Sequence, residues 1–269
     1  MNHATLRRPL LALTLLIGMV AVSHLAVAGP VADRVKAGGT VKICIWPDYY
    51  GVTLRNPRNQ QLTGIDAELS AEFARDLKAK LQYVDSSFAT LIADVTGDKC
   101  DIAMFAVGVL PVREKALRFT QPYLRSDIYA ITTRSHRTVK GWDDIDKSGV
   151  AVAVQAGTFM EPVMKESLKQ AKLVVIAPPA TREGELEAGR VDVFMTDYPY
   201  SRRLLDNADW ARLISPPRPF FVLPYAYAVK PGDDAWLKVA DDFVARIKRD
   251  GRLDAAAKRA GLTEIVVRN

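Results

Sequence analysis

The chain has 269 residues, with 37 basic and 31 acidic side chains and a formal net charge of +6. The basic residues are scattered among acidic ones, without a basic run or interleaved aromatic residues, which excludes the pattern of a nucleic-acid-binding surface. The length exceeds what a single core usually needs, so it indicates either one large domain or two small lobes.

The first 28 residues have the pattern of a secretory signal. Arg7 and Arg8 precede an apolar run over 10–22, and residues 26–28 form the small-x-small motif of a signal-peptidase site. The run is shorter than the about 20 apolar residues that a membrane span needs, and no later stretch approaches that length. We therefore expect cleavage and a soluble, exported protein.

The mature chain is expected to begin at Gly29. Loss of the signal removes two arginines and no acidic residue, so the formal charge falls from +6 to +4. A cysteine for lipid attachment is missing at position 29, which favours release into the periplasm without a lipid anchor. The paired arginines leave a twin-arginine signal as an alternative, although Pro9 follows them directly.

Apolar periodicity predicts two successive α/β units. The first has strands at 41–45, 81–84 and 102–109, with helices at 65–77 and 88–95, the latter closed by Gly97. The second has strands at 150–154, 173–176 and 191–195, with helices at 159–171 and 182–189. A strand at 221–229, a helix at 236–247 and a short helix after Gly251 complete the chain. Alternating strands and helices predict parallel sheets, whose carboxyl-end loops collect ligand groups.

Six sequence blocks carry a resemblance to a known family. In chain order they are VKICIWPDYYGV, LTGIDAEL, CDIAMFAVGVLPVREKALRFTQPY, QAGTFMEP, AGRVDVFMTDYPYS and IKRDGRLDAAAKRAGL. Together they resemble the family 3 solute-binding proteins, the periplasmic receptors for polar amino acids that feed ABC importers. The resemblance covers essentially the whole mature chain.

The resemblance implies an α/β fold of the type II periplasmic-binding class, with a ligand cleft between two lobes. Lobe 1 would comprise residues 29–126 and 227–269, and lobe 2 residues 127–226. Two strands, near 126–130 and 225–228, would cross between the lobes as a hinge for Venus-flytrap closure. The implied partners are a small amino acid or organic acid and an ABC permease in the inner membrane, for a monomeric protein without cofactor or metal.

Arg113 and Asp197 are the predicted charged ligand contacts. The resemblance implies that Arg113 holds the ligand's α-carboxylate, which a planar guanidinium can do with two parallel hydrogen bonds. It also implies that Asp197 accepts the ligand's ammonium. The alternatives are a surface arginine paired with Glu114 or Asp101, and an aspartate that caps the helix beginning at Tyr198.

Thr158 and the backbone amide of Phe159 are predicted to add anion contacts from lobe 2. Both follow a strand and precede a helix, where free N–H groups can meet an anion. Gly157 permits the tight turn between strand and helix. A plain turn and helix cap is the alternative.

Aromatic residues are predicted to stack on the ligand. Tyr49 occupies the stacking position of the family, with Trp46 and Tyr50 in the same loop, although such rings are often core residues. Ala106 and Gly108 stand where many relatives carry hydroxyl groups, and Trp46 stands where relatives for basic amino acids keep an acid. This departure favours a ligand side chain less polar than that of Lys, Arg or His, and leaves open an organic acid without an ammonium.

The spacing of the two cysteines favours buried thiols, with a disulfide as the alternative that an oxidising periplasm would permit. Cys44 lies two residues before Trp46 at the cleft end of the first strand, and Cys100 about five residues before the end of another. Straight neighbouring strands would leave them about 10 Å apart lengthwise. A disulfide tolerates Cα separations of only about 7 Å.

The histidines argue against an enzyme. His3 and His24 fall in the signal segment, so only His136 remains, and no nucleophile triad, metal cluster or Walker loop can be assembled. Cyclohexadienyl dehydratase shares the fold but has an acidic residue a few positions beyond the cleft Asp, where 197–201 here reads Asp-Tyr-Pro-Tyr-Ser. Glu161 would be the nearest general acid. A dehydratase, and a ligand-sensing partner of a membrane receptor, remain the alternatives to a transport receptor.

Overall fold

The computed structural model describes Met1 and residues 30–268. The predicted cleavage site, and all of the predicted signal segment except Met1, lie outside the described residues. None of the described helices combines the length and apolar character that a membrane crossing requires.

Helices and strands alternate along most of the chain. The helices are α1 (Pro30–Lys36), α2 (Ile65–Asp76), α3 (Leu91–Thr96), α4 (Pro111–Glu114), α5 (Met160–Ser167), α6 (Arg182–Glu187), α7 (Tyr198–Leu205), α8 (Asp234–Arg249) and α9 (Arg252–Ala260). The strands are β1 (Thr40–Ile45), β2 (Asp48–Tyr49), β3 (Thr53–Arg55), β4 (Leu62–Thr63), β5 (Lys80–Asp85), β6 (Ile102–Gly108), β7 (Arg118–Phe119), β8 (Leu124–Ser126), β9 (Ile128–Thr133), β10 (Ala151–Gln155), β11 (Lys172–Ile176), β12 (Val193–Asp197), β13 (Ala211–Ile214) and β14 (Leu223–Val229). The longer predicted elements are present, while periodicity did not predict α1, α4, the small strands β2–β4, β7 and β8, or the strands β9 and β13.

The first sheet forms the centre of lobe 1. Its strand order is β5-β1-β6-β14-β7, and β8 also pairs with β14. β1 runs parallel to β5 and β6, with Ile43 opposite Ile102, whereas β14 is antiparallel to β6. The parallel strands confirm the predicted α/β pattern and bring the carboxyl ends of β1 and β6 to one edge.

The second sheet forms the centre of lobe 2. Its strand order is β11-β10-β12-β9-β13, with β10 parallel to both neighbours and β9 antiparallel to β12. The carboxyl ends of β10 and β12 therefore lie side by side. The exact residue boundaries of the lobes stay a prediction.

Helices α2 and α8 cover one face of the first sheet. Phe73 of α2 contacts Trp236 and Phe243 of α8, with ring-centroid distances of 5.6 and 5.0 Å. All three rings are fully buried. This burial of large apolar side chains is the main favourable contribution to folding of lobe 1, and it fixes the elements from which the cleft loops project.

The chain crosses between the sheets at two adjacent segments. Asp127 separates β8 from β9, and its carboxylate accepts hydrogen bonds from the backbone N–H groups of Phe220 (2.9 Å) and Phe221 (2.7 Å). The return therefore runs through residues 215–222. The segment 225–228, predicted as the second crossing, lies instead inside β14 of the first sheet, because its backbone pairs with β6 and β7.

Cys44 and Cys100 form a disulfide, with a Cα–Cα distance of 5.5 Å. The prediction of two buried thiols is therefore wrong. A straight chain before β6, in which Ala103 pairs with Cys44, would have kept Cys100 out of bridging distance. The chain bends at Asp101 just before β6 begins, which brings Cys100 within bridging distance.

Candidate functional site

A narrow cavity lies between the strand ends of the two lobes. Its free volume is about 10 Å³, room for about one water molecule, so the two lobes are closed against each other in this conformation. Six predicted site residues line it, namely Trp46, Tyr49, Ala106, Thr158, Phe159 and Asp197. The other lining residues are Phe88, Met160, Arg182, Thr196 and Tyr200. The cavity is therefore built from both lobes.

Arg113 joins the two lobes beside this cavity. It lies in α4, directly after β6, and is only 4% exposed. Its Nη1 donates to the carbonyl of Gly108 in lobe 1, and its Nη2 donates to the carbonyl of Gly157 in lobe 2, both at 2.9 Å. Its guanidinium carbon lies 5.3 Å from the ring centroid of Phe88, which lines the cavity. Burial lowers the pKa of Arg113 to about 10, so the group is cationic at neutral pH.

Gly157 of lobe 2 packs directly against the backbone of lobe 1. Its φ is +75°, a conformation that favours glycine. A Cβ at this position would lie 2.5 Å from the backbone N and Cα of Ala89 in lobe 1. Glycine is thus required both for the turn after β10 and for the contact between lobes.

Asp197 is buried at the end of β12 and is already multiply hydrogen-bonded. One carboxylate oxygen accepts from the hydroxyls of Tyr49 and Tyr225 (2.7 Å to the latter), and the other accepts from the backbone N–H of Tyr200 at 3.1 Å. Burial raises the pKa of Asp197, while these donors hold it down. Asp197 therefore caps the helix that begins at Tyr198, as the alternative interpretation predicted. Its carboxylate can still accept a hydrogen bond from a ligand.

Ala106 lies at an irregular position of β6 that faces the cavity. Its φ is +49°, unusual for a residue other than glycine. Its N–H donates to the carboxylate of Asp66 at 2.8 Å, and Asp66 also accepts from the hydroxyls of Tyr123 and Tyr227. Burial raises the pKa of Asp66 to about 6. Asp66 was not singled out in the sequence, and it lies beneath the cavity wall.

Aromatic rings form one wall of the cavity. Trp46 lies 5.2 Å from Tyr49 and 5.4 Å from Phe88, measured between ring centroids, and is stacked with Tyr200 at 6.4 Å. Tyr50 contacts Tyr200 at 5.0 Å but does not line the cavity. The predicted aromatic loop therefore supplies two lining rings, whereas Phe88 and Tyr200 were not predicted as site residues.

The polar groups of the turn before α5 form hydrogen bonds with neighbouring residues of the same turn. The Thr158 hydroxyl donates to the carbonyl of Gln155 at 2.7 Å, and Glu161 accepts from the N–H of Gly157 at 2.8 Å. This arrangement matches the turn-and-cap alternative, although Thr158 also lines the cavity. Gly108 does not line it, and contributes its carbonyl to Arg113.

Arg182 and Thr196 are cavity residues that the sequence reasoning missed. Arg182 is 3% exposed and lies at the first position of α6, opposite to the usual preference for acidic residues at a helix start. That misplacement is the signal that could have identified it. Thr196 immediately precedes Asp197, so the strand that supplies the carboxylate also supplies a hydroxyl.

Metal-binding geometry is not found in the part of the chain that the structure describes, where no three His, Cys, Asp or Glu side chains are grouped to hold an ion. His136 contacts Asp192 at 3.1 Å and lies outside the cavity lining. The arrangement can bind a small anion or zwitterion through guanidinium, carboxylate and aromatic groups.

Comparisons with known proteins agree with this architecture. The sequence model of the bacterial extracellular solute-binding proteins, family 3, matches residues 41–262. The amino-acid-binding protein AabA of Dichelobacter nodosus is 30% identical over 209 residues, which cover 73% of this chain and 78% of that protein. The cyclohexadienyl dehydratase of Pseudomonas aeruginosa is 28% identical over 216 residues, with coverages of 78% and 80%.

A solved structure extends the similarity to the fold. The ancestral amino acid-binding protein AncCDT-1, described as a precursor of cyclohexadienyl dehydratase, has a TM-score of 0.78 and 26% identity. The match covers 85% of this chain and 98% of that one. The predicted two-lobed α/β fold of periplasmic binding proteins is thereby confirmed.

Proposed function

Because the chain belongs to the family 3 bacterial extracellular solute-binding proteins, we propose that it is the periplasmic substrate-binding protein of an ABC importer. It binds a small amino acid or a related carboxylate by closing two lobes on it. The observation that carries this proposal is the position of Arg113, a buried cation hydrogen-bonded to both lobes at the edge of the cavity. Several relatives are amino-acid-binding proteins by name, which supports the same class of ligand.

The ligand carboxylate competes for the guanidinium of Arg113. A carboxylate is a stronger acceptor than the neutral carbonyl of Gly157, and charge-assisted bonds contribute about 1.5–3 kcal/mol each. A ligand ammonium uses the remaining lone pairs of Asp197, whose pKa is raised by burial. Closure removes water from both contacts and strengthens them. The aromatic wall with Trp46 and Tyr49 packs on the apolar part of the ligand.

A dehydratase on the same fold is the second candidate, favoured by the similarity to the Pseudomonas aeruginosa enzyme. Its general acid would have to come from the cavity lining, in which Asp197 is the one carboxylate among the described residues. Asp197 accepts three hydrogen bonds, which is the role of a binding carboxylate, while burial raises its pKa. An assay for turnover of prephenate and arogenate separates the two functions, and we expect no turnover.

The proposal is tested by a thermal-shift screen of amino acids and small organic acids on the mature protein. We expect at least one carboxylate ligand to raise the melting temperature and to change the emission of Trp46, which lines the cavity. Arg113→Ala should abolish both effects while the circular dichroism spectrum stays native. Arg125→Ala is the matched control, because Arg125 is an exposed arginine of the same lobe. The assignment fails if Arg113→Ala binds as tightly as the control.

A further inference from the structure

Arg182 carries a second buried guanidinium at the cleft, and it belongs to lobe 2. Its Nη1 donates to the carbonyl of Met195 at 2.8 Å, and its guanidinium carbon lies 4.6 Å from the ring centroid of Tyr200 and 5.2 Å from that of Phe194. These contacts fix the plane of the guanidinium. The side chain is therefore held in place at the cavity wall instead of extending into solvent.

Two polar atoms of this wall lack partners. The Nε of Arg182 and the hydroxyl oxygen of Thr196 are both buried without a hydrogen-bond partner among the described residues. Both residues line the same cavity, and Thr196 is 1% exposed. A buried donor without an acceptor is uncommon in folded proteins, since its desolvation is uncompensated. Two such atoms at one cavity indicate a group that completes them on binding.

The charge of Arg182 is also without a close counter-ion. Within the described part of the chain, no carboxylate oxygen lies within 4.0 Å of its guanidinium. The adjacent Glu183 accepts instead from the hydroxyl of Tyr200 at 2.8 Å. Asp197 lies near enough for the charge of Arg182 to lower its pKa, but its carboxylate oxygens accept from three other donors. An anionic ligand group would supply the missing acceptor.

We propose that Arg182 and Thr196 form a second anion subsite, and that the ligand is a small dicarboxylate, with or without an amino group. This inference rests on the proposed function, because Arg113 must hold the first carboxylate. The second carboxylate accepts from Nε of Arg182 and from the Thr196 hydroxyl. Arginine has donors only, so the subsite disfavours the cationic side chains of lysine and arginine as ligands.

The test compares acid and amide ligands of equal size on the mature protein by isothermal titration calorimetry. The pairs are glutamate against glutamine and aspartate against asparagine, with succinate as the dicarboxylate that lacks an ammonium. We expect the wild type to bind the better acid about tenfold or more tightly than its amide. Arg182→Met should remove that preference while amide binding changes about threefold at most.

Two further variants keep the test decisive. Arg190→Met is the matched control, because Arg190 is an exposed arginine of the same lobe, paired with Glu185 away from the cavity. It removes the same charge and should keep the preference. Thr196→Val is nearly isosteric and should weaken binding of the acid several-fold without loss of fold. It decides the question if Arg182→Met fails to fold.

The outcomes separate this inference from the proposed function. Retention of the acid preference in Arg182→Met and Thr196→Val, or a wild-type preference for the amides, overturns the second anion subsite but leaves the binding function intact. A wild type that binds none of these carboxylates and no other amino acid refutes the proposed function, and the subsite with it. Loss of the preference in Arg182→Met but not in Arg190→Met supports both.

Discussion

Gly157→Ala should prevent full closure of the cleft without unfolding either lobe. The new Cβ would lie 2.5 Å from the backbone of Ala89 across the cleft. Carbon contacts are ordinarily about 3.5 Å, so the two segments must move apart by roughly 1 Å. Backbone atoms cannot rotate away, which makes separation of the lobes the available response.

The size of the effect follows from the contacts that this movement breaks. A ligand held, as proposed, between Arg113 and Asp197 would lose hydrogen-bond distance to one of them when the lobes stand about 1 Å further apart. A charge-assisted bond contributes about 1.5–3 kcal/mol, so loss of one such contact in the closed form lowers ligand affinity roughly 10- to 100-fold. Alanine at positive φ adds about 1–2 kcal/mol of strain, which is present in the open and closed forms alike.

Gly149→Ala is the control that isolates the clash. Gly149 has a φ of +86°, and a Cβ there meets nothing within 4 Å. Both variants should therefore lose about 1–2 kcal/mol of unfolding free energy in urea. Only Gly157→Ala should lose affinity in calorimetry and show a larger radius of gyration with ligand in small-angle scattering. Equal ligand affinities for the two variants would refute the reasoning.

The disulfide and a buried carboxyl lead to two further predictions. Cys44 and Cys100 are 56 residues apart in the sequence. On the chain-entropy model, replacement of both by serine should lower the unfolding free energy, measured by urea denaturation, by about 4 kcal/mol. An unchanged transition midpoint would contradict this prediction. Asp66 has a folded pKa of about 6, above its ordinary 3.8, so its contribution to stability is fully present below about pH 4 and is lost as the pH rises through 6. The unfolding free energy of the wild type minus that of Asp66→Asn should accordingly fall by about 3 kcal/mol from pH 3 to 7, and a flat or rising difference would sink the assignment.

The sequence predicted the parallel strands of both sheets and the longer helices because their periodicities are local. Ile65, Leu69 and Phe73 recur every fourth residue and are all fully buried in α2. The end of a helix was predicted less accurately where a tertiary contact determines it. Helix α5 ends at Ser167, four residues before the predicted end at Ala171, because Leu168 already adopts an extended backbone.

The disulfide shows where inference from strand spacing fails. The register of β1 against β6 was close to the expected one, but one bend at Asp101 changed the position of Cys100. A bend is set by hydrogen bonds to a distant segment, here from the N–H of Asp101 to the carbonyl of Lys42 at 2.9 Å. Spacing along the chain carries no information about such a contact.

By itself, the sequence determined the family blocks, the alternation of strands and helices, and the ends of the parallel strands to within two residues. That was enough to place Arg113 and Asp197 at the cleft, because the carboxyl ends of parallel strands meet at one edge. Only the tertiary structure decided the partners of the buried polar atoms. It gave Asp197 two tyrosine hydroxyls and, within the described part of the chain, left Arg182 Nε without an acceptor. The reason is physical, since a residue's position in an element is fixed locally, whereas satisfaction of a buried donor depends on distances between segments far apart in the chain.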